Sequence, residues 1–271
     1  MFGAILGDII GSPYEFNAHN CKAKDFPLFS DYSRFTDDSA MTLAVAKAFM
    51  DTGLDASEEK LTASLFRVLP EVGRKYPDSG YGGRFFGWIM FDDPAPYNSF
   101  GNGSVMRVSS VAWLYDDMDA VRRAARISAA VSHNHPEGIK GAESVACAIF
   151  LARTGHSKAE IKDYIEREFE YDLSRTCDEI RPGYRMDETC QGSVPEAIIA
   201  FLEGMDFEDV IRTAVSLGGD SDTIACIAGS IAEGFYGVPE DLKQECFGRL
   251  TPELLAILEQ FVCLLNRKYR N

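Results

Sequence analysis

Residues 35–49, FTDDSAMTLAVAKAF, contain the two features from which the rest of the chain can be interpreted. From residue 40 to residue 49, apolar residues recur at helical spacing, which keeps Leu43, Ala44 and Ala48 broadly on one face of a helix. Immediately before this apolar run stand hydroxyl and carboxylate side chains, the residue types that begin helices. The stretch therefore predicts a capped, buried helix whose N-terminus is rich in oxygen atoms.

The same helical period dominates the remainder of the chain, and alternating strand patterns are scarce. We predict further helices at residues 61–72, 104–114, 120–131, 139–152, 158–169, 194–202, 207–216, 221–235 and 254–265. Residues 21–35, 91–103 and 171–193 are the least helical segments, and a short strand within 181–189 stays open as an alternative. These patterns predict a compact all-α domain spanning residues 1–271, with function on the loops between helices.

Composition limits the classes of function. The 271 residues are 46% hydrophobic and carry a formal net charge of −15, which argues against non-specific nucleic-acid binding, since that requires Lys and Arg to neutralise phosphates. Seven cysteines without a CxxC pair favour reduced thiols in a cytoplasmic protein over a disulfide framework. We find no signal peptide and no apolar run of about 18 residues, so we expect no membrane span, and a monomer is the default expectation.

The first candidate motif is Thr36-Asp37-Asp38-Ser39, at the start of the helix described above. The second is Gly218-Gly219-Asp220-Ser221-Asp222-Thr223, where a glycine turn enters another apolar helix. Taken alone, each motif is explained by helix capping. Taken together, they resemble two halves of one oxygen-rich site, and Mg²⁺ and Mn²⁺ prefer carboxylates, hydroxyls and water to thiols. We therefore predict two Mg²⁺ or Mn²⁺ ions held by Thr36, Asp37, Asp38, Asp220, Asp222 and Thr223.

The third candidate is Gly101-Asn102-Gly103-Ser104, which runs into a predicted helix. Its glycines allow close approach of a ligand, and free N–H groups at the helix start would suit a diphosphate. Most Gly-Asn-Gly segments are simple turns, so this motif is weak by itself. Tyr97 and Phe100, just before it, are candidates to sandwich an adenine ring, with ordinary packing as the equal alternative.

Two further groups carry candidate polar residues. The segment Ser132-His133-Asn134-His135-Pro136-Glu137-Gly138 has histidines but no partner cysteines and no HExxH pattern, so zinc is disfavoured. A capping turn or a hydrogen bond from His133 to a polar ligand explains it better. Glu15 follows a glycine-punctuated first helix, and it is either a surface residue or a carboxylate that closes over a sugar as a metal ligand or acid–base group.

The ordered set of motifs resembles the ADP-ribosylglycohydrolase family, specifically its dinitrogenase-reductase-activating type. The resemblance runs nearly from end to end, and its ordered set is specific where any one piece would be weak. It is carried by GAILGDIIGSPYEF (3–16), FTDDSAMTLAVA (35–46), GNGSVMR (101–107), SHNHPEG (132–138), SVPEAIIAFLEG (193–204) and SLGGDSDTIACIAGSIAEGFYG (216–237).

The resemblance implies an all-α, orthogonal helical bundle with a binuclear Mg²⁺ or Mn²⁺ centre in a cleft that binds ADP-ribose. By position, the metal ligands would be the six predicted above, and Glu15 would stand at the metal site. Residues 101–104 would meet the diphosphate or the distal ribose, with His133 nearby. The implied activity is hydrolysis of the glycosidic bond between ADP-ribose and an acceptor, with ADP-ribose as product and proton transfer by Asp38 or Glu15.

The acceptor stays open at this point: arginine side chains, serine side chains and small molecules differ only beyond the scissile bond. Three other functions stay open as well. The chain could be a non-catalytic reader of ADP-ribose or nucleotides, a structural protein like the lens crystallins that some relatives resemble, or a related hydrolase acting on another nucleotide-like substrate. Complete metal motifs argue against the first two.

Overall fold

The computed structural model describes residues 1–16 and 19–269, and within them the chain is helical and contains no β-strand. The only ladder-like pairing in this part of the chain is an isolated antiparallel bridge between Gly101 and Thr189. The helices are α1 (Phe2–Gly11), α2 (Asp37–Thr52), α3 (Glu58–Gly73), α4 (Gly83–Met90), α5 (Gly103–Met106), α6 (Val111–Leu114), α7 (Met118–Ala130), α8 (Pro136–Arg153), α9 (Lys158–Phe169), α10 (Cys177–Ile180), α11 (Cys190–Glu203), α12 (Phe207–Val215), α13 (Ser221–Tyr236), α14 (Glu240–Arg249) and α15 (Pro252–Tyr269), with a 3₁₀ turn at Ser12–Tyr14.

Helix α13 lies at the centre of the fold, with α1, α8, α11 and α12 packed around it. Every residue from Ser221 to Ala232 is buried, which fits the small and apolar character of the segment. A helix that is apolar on all sides needs neighbours on all sides. The N-terminus of α13, and with it the second aspartate motif, is therefore fixed by the core itself.

Helix α1 approaches α13 unusually closely because glycine recurs every fourth residue along its contact face. A Cβ atom built on Gly3 would lie 2.0 Å from the Gly229 carbonyl oxygen, and one on Gly7 would lie 2.1 Å from that of Ala225. On Gly11 it would lie 2.5 Å from the Cα of Asp222. These distances are far below van der Waals contact, so only glycine permits this spacing, and it brings α1 directly against the second motif.

The structure corrects several helix boundaries. The predicted helix 104–114 is interrupted: residues 107–110 separate α5 from α6, and the consecutive serines Ser109 and Ser110 disfavour a helix interior. Helices α4, α10 and α14 were not predicted; α4 is only eight residues long and contains two glycines, and α10 is a single turn within the segment 171–193 that was predicted to be least helical. Residues 181–189 form no strand, and Thr189 instead begins α11.

Two further sequence expectations can be compared with the structure. All seven cysteines are unpaired, as expected for reduced thiols. Among the described residues, no helix combines the length and the apolar character that crossing a bilayer requires.

Candidate functional site

The first aspartate motif forms the N-terminus of α2. Thr36 is the N-cap residue in extended conformation, and its Oγ1 accepts a hydrogen bond of 3.4 Å from the Asp38 amide. The Asp37 amide donates to the Ser79 carbonyl at 2.8 Å. Asp38 is buried and Asp37 is half-buried. Neither aspartate side chain caps the helix, so both carboxylates are available for another role.

The second motif is formed by a left-handed turn at the start of α13. Gly218 and Gly219 have φ values of +73° and +71°, which only glycine adopts readily. A Cβ on Gly219 would also lie 2.7 Å from the Arg185 carbonyl oxygen. The turn places Asp220 at the N-cap position and Asp222 in the first turn, both buried. The Asp220 side chain makes no capping hydrogen bond and is free to point elsewhere.

The fold brings the two motifs together, although Asp38 and Thr223 are 185 positions apart in sequence. Thr223 Oγ1, on α13, donates to Asp38 Oδ1, on α2, at 3.3 Å. Carboxylate oxygens of Glu15, Asp220 and Asp222 lie within 4.8 Å of one another. The other oxygen of Asp38, Oδ2, is buried and has no hydrogen-bond partner among the described residues. A divalent cation with oxygen ligands would satisfy these groups, so the residues fit the predicted cofactor.

The electrostatics of this cluster favour a positive charge between its members. Burial, followed by the neighbouring carboxylates, raises the pKa values of Asp37, Asp38 and Asp222 well above the usual range. The same causes, with Asp220 the strongest neighbouring charge, raise the pKa of Glu15 to about 7. Burial also raises the pKa of Asp220, which the Asn102 amide partly opposes. Without a cation, the ionisation of one carboxylate disfavours the ionisation of its neighbours.

Asp8 is a buried carboxylate next to the first aspartate motif whose contacts sequence reasoning missed. It lies in the middle of α1, is fully buried, and accepts hydrogen bonds from the amide of Thr36 at 2.9 Å and from its Oγ1 at 2.6 Å. The amide and the hydroxyl of Ser39 both donate to Asp8 Oδ2, the oxygen that also accepts from the Thr36 amide. Asp8 therefore fixes the orientation of the Thr36 hydroxyl. The signal was visible, since a lone carboxylate in an apolar helix must have partners.

The Gly-Asn-Gly-Ser segment lies opposite the aspartates but differs in detail from the predicted cradle. The amide nitrogens of Gly101 and Asn102 donate to Ser99 Oγ and the Glu188 carbonyl, at 3.1 and 2.7 Å, so they are not free for an anion. The hydroxyl of Ser104 is buried and donates to the Gly138 carbonyl at 2.8 Å. These hydrogen bonds hold the first half of the loop in place, and the prediction of free N–H groups concerns the helix start at Gly103 and Ser104.

Asn102 connects this loop to the aspartates. Its Nδ2 donates to Asp220 Oδ2 at 2.6 Å and to Ser193 Oγ at 2.9 Å, which uses both of its amide hydrogens. Asn102 lies in the wall of the cleft, but its amide nitrogen orients a carboxylate rather than a ligand. The two predicted motifs are therefore one hydrogen-bonded unit.

The structure separates the two aromatic candidates. Tyr97 lines the cleft, with its ring 5.8 Å from that of His133 and the Arg84 guanidinium 4.7 Å from its centre. The Phe100 ring is 45% exposed, lies outside the cleft wall, and packs edge-on against His135. Tyr97 and Phe100 therefore do not face one another across the cleft, and the packing alternative describes Phe100.

The two histidines of the middle motif have different roles. His135 is the N-cap of α8, and its Nδ1 accepts from the Glu137 amide at 3.1 Å, which confirms the capping alternative for that residue. His133 is buried in the cleft wall, and its Nδ1 lies 2.8 Å from Ser132 Oγ. Burial, then the charges of Arg107 and Arg84, lower its pKa well below 6.5. His133 is therefore a neutral imidazole.

These walls enclose a cleft of about 490 Å³, which lies within the range of small-molecule sites. The cleft contains Glu15, Asp37, Asp38, Asp220, Asp222 and Thr223 on one side, with Tyr97, Gly101, Asn102, Gly103 and His133 also in its wall. Thr36 and Ser104 lie behind the wall. Sequence reasoning missed Tyr81, Arg84, Met186 and Glu188, which also line the cleft. None of them carries a motif; Met186 and Glu188 lie in the predicted irregular segment 171–193, whereas Tyr81 and Arg84 lie outside every predicted element.

A family model described as ADP-ribosylglycohydrolase matches residues 1–270. The chain is 30% identical over 332 residues to ADP-ribosylhydrolase ARH3 of Mus musculus, which covers 94% of this chain and 88% of that protein. It is 24% identical over 273 residues to ADP-ribosylarginine hydrolase Tri1 of Pseudomonas putida (strain GB-1), covering 88% of this chain and 70% of that protein.

A solved structure, described as an ADP-ribosylglycohydrolase-related protein complex, superposes with a TM-score of 0.63. It covers 94% of both chains at 22% sequence identity. At that identity the likeness concerns the fold alone. It confirms the all-α architecture that the hydrophobic periodicity predicted.

Proposed function

The chain belongs to the ADP-ribosylglycohydrolase family, and from that premise we propose that it is a metal-dependent hydrolase that cleaves the glycosidic bond between ADP-ribose and an acceptor. The observation that carries the proposal is the meeting of two oxygen-only motifs at one end of a cleft of about 490 Å³. Carboxylates crowded in this way are expensive to bury unless a cation compensates them. The site therefore supports catalysis better than it supports ligand binding alone.

We assign the cofactor as two Mg²⁺ or Mn²⁺ ions, held by Thr36, Asp37, Asp38, Asp220, Asp222 and Thr223, with Glu15 beside them. The free Oδ2 of Asp38 and the cluster of Glu15, Asp220 and Asp222 support this assignment. When bound, divalent cations of this type act as Lewis acids and polarise oxygen atoms in hydrolytic sites. The helix N-termini of α2 and α13 add partial positive charge that helps the carboxylates to coexist.

The chain's own residues supply binding, orientation and proton transfer. The cleft wall formed by Tyr97, Gly101, Gly103 and His133 would hold the ADP-ribosyl group with its anomeric carbon towards the aspartates. The bond from that carbon to the acceptor breaks with oxocarbenium character, and a water molecule supplies the new oxygen. One proton of that water passes to a carboxylate, and the departing acceptor atom gains a proton.

The proton carrier is Asp38 or Glu15. Glu15 lines the cleft beside Asp220 and Asp222, so its carboxylate would lie next to the proposed cations, where a group that takes up and releases a proton is needed. Asp38 has a buried oxygen without a hydrogen-bond partner among the described residues, and that oxygen also suits the task. The acceptor, to which ADP-ribose is linked in the substrate, is an arginine or serine side chain of a protein, or a small molecule. The names of the relatives include an arginine-linked activity for one of them.

The decisive experiment is the release of free ADP-ribose, followed by mass spectrometry, from arginine-linked and serine-linked ADP-ribosyl substrates. Each reaction is run with Mg²⁺, with Mn²⁺ and with EDTA. We expect release that EDTA abolishes, and the faster substrate identifies the acceptor class. If ADP-ribose binds but neither substrate is cleaved, the hydrolase proposal fails in favour of a reader or a hydrolase of another substrate.

A further inference from the structure

Among the described residues, Arg107 is the largest fully buried side chain, and no carboxylate lies within ion-pair distance of it. In the described part of the chain it forms no ion pair, and its Nε and one terminal nitrogen, Nη1, make no hydrogen bond. Its other terminal nitrogen donates to the Ser128 carbonyl at 3.0 Å and to Ser132 Oγ at 2.8 Å. Burial lowers its pKa to about 10, which still leaves the guanidinium charged at neutral pH. Burying an unpaired charge costs free energy of folding, so we expect the Arg107 guanidinium to have a specific role.

Arg107 fixes the direction of the hydrogen bonds beyond it. A guanidinium can only donate, so Ser132 Oγ must accept from Arg107. The hydroxyl hydrogen of Ser132 is then free to donate, and the neighbouring acceptor is His133 Nδ1 at 2.8 Å. Since Nδ1 accepts, the single proton of a neutral imidazole must lie on Nε2. The positive charge behind the serine also disfavours a second proton on the ring.

The Nε2 edge of His133 faces the ligand side of the cleft. A Cβ atom built on Gly103 would lie 3.0 Å from Nε2, and one on Gly101 would lie 3.6 Å from it. The two glycines therefore leave open the space into which an Nε2–H group would donate. Nitrogen donors at such a place recognise oxygen atoms of a ligand, either phosphate oxygens or sugar hydroxyls.

We propose that Arg107 and Ser132 are positioning residues that hold His133 as the neutral tautomer with its proton on Nε2, aimed as a hydrogen-bond donor at a ligand oxygen in the cleft. The identity of that ligand as ADP-ribose rests on the proposed function, whereas the tautomer does not. The arrangement gives the cleft a donor that stays a donor at every pH at which the imidazole is neutral. A carboxylate or an unassisted histidine would not guarantee this.

The tautomer can be measured directly by two-dimensional NMR of the intact protein with ¹⁵N-labelled histidine. The chain has four histidines, so four ring patterns are expected, and His133→Gln identifies the relevant one. We expect protonated Nε2 and unprotonated Nδ1 for His133 at neutral pH. A proton on Nδ1, or a doubly protonated ring, overturns the proposal whether or not ADP-ribose binds.

Variants test the relay itself. Ser132→Ala removes the donor to Nδ1, so the ring signals should shift towards a mixture of tautomers and ADP-ribose should bind about three- to tenfold more weakly, as for the loss of one hydrogen bond. Ser132→Cys keeps a weaker donor of similar size and should give an intermediate result, and it replaces Ser132→Ala if that variant does not fold. Ser230→Ala is the matched control, since Ser230 is equally buried but donates to its own helix at Cys226.

The outcomes separate this proposal from the proposed function. An unchanged His133 pattern in Ser132→Ala overturns the relay, even if the variant has lost affinity. The expected tautomer in a protein that binds no ADP-ribose supports the relay and contradicts the ligand. A shift of tautomer together with weaker binding, absent in Ser230→Ala, supports both.

Discussion

The two walls of the cleft carry opposite groups: one lacks a positive charge to balance its carboxylates, and the other lacks oxygen atoms to receive its hydrogen bonds. One wall consists of carboxylates, which accept hydrogen bonds and bind cations, and is named the acceptor wall for that reason. It is formed by Glu15, Asp37, Asp38, Asp220 and Asp222, whose pKa values are raised by burial and by one another. The donor wall, formed by Arg84, Tyr97, Gly103 and His133 with Arg107 behind it, collects hydrogen-bond donors and positive charge, and neither arginine forms an ion pair with any described residue.

The difference between the walls indicates what occupies the space between them. The acceptor wall is completed by cations, and the donor wall is completed by anionic or hydroxyl oxygens of a ligand. A molecule with a sugar at one end and phosphates at the other satisfies both demands at once. If the walls have these separate roles, substitutions in one should leave the ligand of the other unaffected.

The largest expected effect follows from Asp38→Asn in the acceptor wall. The change keeps the shape of the side chain but removes a negative oxygen that would meet a cation, so turnover should fall by about 10³-fold, equal to about 4 kcal/mol. Folding in the absence of cations should survive, because a buried carboxylate with a raised pKa is not needed for stability. ADP-ribose release and thermal unfolding measure the two effects.

The control for Asp38→Asn is Asp163→Asn, which changes an exposed aspartate on α9. It should leave both turnover and thermal stability unchanged. Turnover of Asp38→Asn within tenfold of the parent protein would show that the acceptor wall is not the reacting half of the cleft.

A smaller effect is expected for Asp8→Asn, which lies behind the acceptor wall. Four donor groups from Thr36 and Ser39 donate hydrogen bonds to Asp8. In an asparagine, one of the two accepting oxygens is replaced by an NH2 group, which cannot accept these bonds. The Thr36 hydroxyl would lose its fixed orientation, and affinity for Mn²⁺ should fall about 10- to 100-fold, as for supporting residues of other metal sites. Titration calorimetry with Mn²⁺ measures this.

Ser39→Ala provides the comparison for Asp8→Asn. It removes one hydroxyl donor but keeps both hydrogen bonds between Asp8 and Thr36. Its effect on cation affinity should therefore be clearly smaller. If both variants lost the same Mn²⁺ affinity, Asp8 would act by stabilising the local fold and not by orienting the Thr36 hydroxyl.

The fold was predictable where hydrophobic periodicity is long, as in α2, α8 and α13. It was not predictable at α5 and α6, where the chain turns at Ser109-Ser110. The close contact of α1 with α13 depends on glycines spaced by four, and that pattern alone does not identify which helix they face. Tertiary packing, which local sequence does not encode, decided these features.

The candidate site also divides into features that local sequence predicted and features that depend on tertiary contacts. Sequence reasoning found the two aspartate motifs, because their residue types suit both a helix start and a cation. It treated Asn102 as a ligand contact, whereas its amide holds Asp220, 118 residues away. It also passed over Asp8 and Arg107, whose roles depend on which polar groups the fold buries beside them. Partners across the fold, not residue types, determine such roles.

The smallest expected effect concerns the donor wall and tests whether the walls are independent. In Gly103→Ala, the new Cβ would lie 3.0 Å from His133 Nε2 and would crowd the position of its ligand. ADP-ribose should bind about tenfold more weakly, a loss of about 1.4 kcal/mol, while affinity for Mn²⁺ stays unchanged. Gly87→Ala, a substitution into open space within α4, is the control and should change neither affinity. A parallel loss of Mn²⁺ affinity in Gly103→Ala would contradict independence, since strain would then pass through Asn102 to Asp220.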